Sequence, residues 1–133
     1  MVIVLVNIAA IDNGVAAPQE WTAVGTGHDQ EVAYYLDFQS MRKRGQNVTV
    51  WELLDFDAPQ MVGESKEQYL SSKLRIEFDC DLRQSRILSL YLYAGSMGSK
   101  RVVYSKTYPS AAWEFVPTDS VEKELWNSAC VKE

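Results

Sequence analysis

Residues 73–80 of this 133-residue chain read KLRIEFDC, with Leu74, Ile76, Phe78 and Cys80 alternating with Lys73, Arg75, Glu77 and Asp79. A period of two marks a strand with one face buried and the other wet. A helix cannot use it, because a 3.6-residue repeat would scatter those apolar side chains around the whole cylinder. Such a strand needs hydrogen-bonded neighbours and a layer over its apolar face. Cys80 falls on the buried side.

Further strand-like runs, separated by turn signals, supply those neighbours. They cover 21–25, 31–37, 40–44, 48–55, 86–94, 100–108 and 113–116. In 31–37, Val32, Tyr34 and Leu36 share a face. The run 86–94 (RILSLYLYA) is apolar on both faces, as an inner strand would be. Residues 45–47 (GQN) read as a hairpin turn, since Gly and Asn accept positive φ. The Gly-rich 25–29 and 95–99 segments read as turns, and 58–66 reads as a polar loop.

The chain then changes period. Val121, Leu125 and Ala129 recur every fourth residue, with Trp126 and Cys130 on the adjoining edge. That is an amphipathic helix of about three turns. Asp119 as N-cap with Glu122 three residues on predicts a capping box at its start. Hairpin-linked strands followed by one helix predict an α+β fold: a mostly antiparallel sheet of about six strands with a C-terminal helix packed on one face.

Residues 1–17 precede this domain, which spans 18–133. They open on the apolar stretch MVIVLVNIAA, too short to cross a bilayer as a helix. Val15, Ala16 and Ala17 then supply small residues for cleavage, the order of a secretory signal. No Lys or Arg precedes the apolar core, so an ordinary buried strand is the alternative. The cysteines favour export. There are two, Cys80 and Cys130, both directed inward from a strand end and a helix end. One bridge between them suits an oxidising compartment; the competing reading is two buried thiols.

The charge balance excludes some functions. A net charge of −5 and a pI near 4.9 argue against nucleic-acid binding, which needs a basic face. No catalytic or cofactor motif appears. A single histidine, His28, lies in a Gly-rich turn and leaves no metal-ligand set. The acidic groups 55–57 and 79–81 lack ligand spacing and read as solvated surface. Asn47-Val48-Thr49 matches a glycosylation acceptor, a short and common pattern. Three adjacent cations, Arg42, Lys43 and Arg44, stand out on this acidic chain as a candidate contact for an anionic partner. Guarding a sheet edge is their structural alternative.

With these residues in place, the chain resembles the surface-adhesin protein E-like family of Gram-negative exported proteins, from about Trp21 to Cys130. The resemblance is carried by Trp21; by Tyr35-Leu36-Asp37 with Ser40 and Arg42; and by Val50-Trp51-Glu52-Leu53 with Asp55. It continues through Ser71-Ser72-Lys73, Glu77 and Asp79 to Cys80, then Arg86, Trp113, Pro117, Ser120, Leu125 and Cys130. It implies a sheet flanked by a C-terminal helix, export to the periplasm, outer surface or medium, and in some members adhesion to host extracellular-matrix proteins. The chain departs from the lipid-anchored pattern by having no N-terminal Cys. The expected function is therefore a non-catalytic exported module that binds a protein of the envelope or host matrix, without a cofactor. The alternative is a soluble periplasmic small-ligand binder, with aromatic side chains lining a pocket.

Overall fold

The computed structural model describes residues 19–25 and 31–131. The apolar segment 1–17 and the His28 turn lie outside them. Among the described residues seven strands form one antiparallel sheet: β1 (Thr22–Gly25), β2 (Val32–Arg44), β3 (Asn47–Met61), β4 (Gln68–Asp79), β5 (Gln84–Tyr93), β6 (Val102–Thr107) and β7 (Glu114–Phe115). The first six lie side by side in chain order, and β7 pairs with the start of β5. Among the described residues one helix, α1 (Val121–Val131), follows. The fold is the expected α+β arrangement.

Periodicity explains how the layers meet. Val48 and Val50 on β3 stand opposite Phe78 and Ile76 on β4. Together with Leu36 they form a core cluster with Leu125 and Ala129 of α1. Val121, Leu125 and Ala129 are the buried stripe of the helix. Each fully buried Leu or Phe in this layer contributes about 1.5–3 kcal/mol.

The other face of the sheet is also covered. Leu53 and Ser71, both 0 % exposed, lie there. The Lys73 ammonium sits 5.9 Å from the Trp21 ring and 5.0 Å from that of Tyr93. A short 3-10 turn (Ser96–Gly98) closes one end. Its backbone is held by Asp55 Oδ1, which accepts from Met97 N at 2.7 Å, and by Ser71 Oγ, which accepts from Gly98 N at 2.8 Å.

Three local expectations are corrected. Residues 40–44 are not a separate strand but the continuation of β2 beyond a bulge between Asp37 and Arg42. Side chains satisfy the interrupted ladder: Asp37 Oδ1 accepts from Gln39 N, and Ser40 Oγ accepts from Trp51 N while donating to the Asp37 carbonyl. The supposed loop at 58–66 is in part strand, since β3 runs through Pro59 to Met61. The proline falls where the register shifts between Asp55 and Gln60, so its missing N–H breaks no ladder bond there. The helix cap is Ser120, not Asp119: its Oγ accepts from Lys123 N at 3.2 Å. The third helical position is therefore Lys123, and no Glu closes a capping box.

Candidate functional site

The basic cluster sits at the tip of the β2–β3 hairpin. Gly45 and Gln46 make the turn, with Gly45 at φ +62°, and Asn47 already belongs to β3. Arg42 lies opposite Thr49, Lys43 opposite Val48, and Arg44 opposite Asn47. Val48 belongs to the core, so the pleat puts Lys43 on the helix side and the two arginines on the other. Three neighbours in sequence thus ring the tip rather than forming one flat patch.

All three residues are exposed. The Arg42 guanidinium is turned back on the bulge, donating to the carbonyls of Gln39 and Met41. Among the described residues the ion pairs are Arg86–Glu77 at 2.8 Å and Arg101–Glu67 at 2.9 Å, and neither involves the tip. The paired part of β1 reaches only Tyr34, Tyr35 and Leu36, so the basic end of β2 is an edge among the described strands.

A second feature lies between the sheet and its helix. A cavity of about 520 Å³ has a floor of Leu74, Ile76, Phe78 and Leu125, with Tyr108, Ala111, Ala112 and Glu114 along one wall. These residues are brought to the wall because Tyr108 N donates to the Leu88 carbonyl and the chain then follows the β5 edge to β7. Glu52 also lines the floor, although only 3 % exposed. Burial, and secondarily the Glu122 carboxylate, push its carboxyl up to about 8.

Asp79 and Glu77 have structural partners. Asp79 Oδ1 accepts from the backbone N–H groups of Asp81 and Leu82, shaping the β4–β5 turn. Asn47 Nδ2 donates to Glu77 Oε2, so this member of the acceptor pattern is engaged in the sheet. Cys80 and Cys130 form a disulfide with their Cα atoms 5.5 Å apart, tying the end of β4 to the last turn of α1.

Residues 21–131 match the surface-adhesin protein E family. The chain belongs to this family. The surface-adhesin protein E fold is also found in solved structures of Haemophilus influenzae protein E. One crystal form is 14 % identical with a TM-score of 0.66, the match covering 88 % of this chain and 94 % of that one. Protein E from non-typeable Haemophilus influenzae is 15 % identical with a TM-score of 0.62, covering 88 % and 82 %. At such identities the likeness concerns the fold. No curated protein sequence matches the chain.

Many residues that carry the family resemblance act as fasteners. Arg86 is held between Glu77 and the Trp113 ring, 4.3 Å from its guanidinium carbon. Asp37 and Ser40 hold the β2 bulge, Asp55 and Ser71 hold the 3-10 turn, and the cysteines hold the helix end. Glu52 differs from these. It interrupts the inward series Val48, Val50, Leu54 on β3, and that breach of the alternation was the sequence signal for it. The small-ligand expectation placed aromatic residues around a pocket. Tyr34, Phe78 and Tyr108 are the aromatic part of this cavity's lining, beside aliphatic residues such as Leu74, Ile76 and Leu125.

Proposed function

We propose that this protein is an exported, non-catalytic binding module of adhesin type that recognises a protein of the bacterial envelope or host matrix through its β2–β3 hairpin tip. Family membership and the disulfide support export and adhesion. The observation that carries the contact site is the exposed ring of Arg42, Lys43 and Arg44, with no ion-pair partner among the described residues. On a chain of net charge −5, this local reversal of sign steers an acidic protein surface toward one place.

The competing role is protection of the exposed strand edge against pairing with other chains. The triple variant R42S/K43S/R44S, titrated against immobilised matrix proteins at two salt concentrations, separates the two. Contact at the tip predicts a loss of about tenfold or more in affinity, and a weaker salt dependence. Unchanged binding to every ligand together with new self-association would assign the cations to edge protection and sink the contact. Intact mass of protein taken from its native host, with and without reduction, tests export: loss of residues 1–17 and a closed bridge are expected.

A further inference from the structure

Val48 and Val50 point into the core layer from β3, and the next inward position is Glu52 rather than an aliphatic residue. Its cross-strand neighbours are Leu36 and Leu74. No hydrogen bond or ion pair to its carboxylate occurs among the described residues; the residue is only 3 % exposed, and since no fully buried polar atom is left unpaired, its carboxylate oxygens open onto the cavity rather than being sealed in the core. It is not packed in solid core, because it lines the cavity. At the rim stand two further carboxylates, Glu114 and Glu122, both exposed. Arg86 is the one basic residue on the lining, and Glu77 already occupies it at 2.8 Å.

An aliphatic chamber holding an unpartnered acid on its floor, with an acidic rim, has a definite chemical complement. A neutral apolar ligand would leave the acid unpaired, and an anion would meet three carboxylates. From this geometry we infer that the cavity is a binding site for a small cationic amphiphile: a protonated amine on a compact hydrocarbon body, its nitrogen against Glu52 and its body on Leu74, Ile76 and Leu125. The volume of about 520 Å³ lies inside the usual range of small-ligand sites. This site is separate from the hairpin tip, so either reading can fail without the other.

The test is calorimetric titration of the whole protein with hexylamine, hexanol and hexanoate, matched in length and differing in head group. Measurements belong at about pH 9, above the Glu52 value of about 8, where its carboxylate is ionised and the amine still charged. Hexylamine should bind saturably and about tenfold or more tighter than hexanol, the advantage expected of a charge-assisted contact, and hexanoate should bind weakest. In Glu52→Gln the amine should fall to the affinity of the alcohol. Alcohol binding should persist in that variant, showing an intact chamber. Equal binding of amine and alcohol by the wild type overturns the inference, as does an undiminished amine preference in Glu52→Gln or no binding of any of the three.

Discussion

Trp126 on the helix and Asp79 at the end of β4 are joined directly: the indole Nε1–H donates to the Asp79 carbonyl oxygen at 3.1 Å across 47 residues of sequence. The next residue after Asp79 is Cys80, bridged to Cys130 one helical turn beyond Trp126. Two fasteners of different chemistry therefore fix the same helix end to the same strand end.

That arrangement makes their effects interdependent. Opening a bridge of sequence separation 50 should cost on the order of 4 kcal/mol, because the unfolded chain regains the entropy of the open loop. Trp126→Phe with the bridge intact should cost about 1 kcal/mol. The double change C80A/C130A with Trp126→Phe should depart from additivity, since both act on one helix terminus. Urea unfolding of the variants gives all three values.

Ser71 is 0 % exposed, and its hydroxyl both donates to the Gly95 carbonyl at 2.6 Å and accepts from Gly98 N at 2.8 Å. Ser71→Ala leaves both backbone groups without this partner and should destabilise by about 1–3 kcal/mol. Hydrogen exchange should show its largest loss of protection at residues 95–99. Equal loss across the whole sheet would mean that the serine does not specifically hold the turn.

Glu52 makes stability depend on pH in the direction opposite to a salt-bridged acid. Its carboxyl rises from an ordinary 4.5 in the unfolded chain to about 8 in the folded one. Between those values the folded state binds the proton more tightly, so stability falls as pH rises through the window. The loss should amount to a few kcal/mol, on the order of what a shift of this size implies. Urea midpoints from about pH 4 to about pH 9 should decline in the wild type and stay flatter in Glu52→Gln, the variant being the more stable at the alkaline end.

Gly45 and Gly98 both hold positive φ, +62° and +69°, but in different surroundings. A Cβ at Gly45 would meet nothing within 4 Å, so Gly45→Ala should cost only the backbone penalty of about 1 kcal/mol. At Gly98 the added carbon would collide with the Lys73 side chain, which is itself held over Trp21 and Tyr93. Gly98→Ala should therefore be the more destabilising of the two. Thermal melts of the pair decide it.

Local periodicity carried much of the fold. The alternation in 73–80, the helical stripe Val121, Leu125 and Ala129, and the inward direction of both cysteines could all be read without knowing a partner strand. Each is a property of one segment, because a strand repeats every two residues and a helix every 3.6. The bulges were not legible in this way. Whether residues 38–41 end β2 or arch out of it depends on β3 across the ladder and on Asp37 and Ser40 satisfying the freed groups. Pro59 likewise read as loop because its tolerance depends on a register shift against β4.

The sites divide along the same line. The sequence by itself determined that a basic cluster would stand on a hairpin, whereas the inward position of Glu52 emerged only once β3 was aligned with β2 and β4. Only the tertiary structure decided that the pleat splits Arg42 and Arg44 from Lys43, and that Tyr108, Ala111, Ala112 and Glu114 flank a cavity beside Glu52. Side-chain direction follows from a strand's own period. A cavity exists only where several distant segments fail to fill the space between them, and no single segment encodes that.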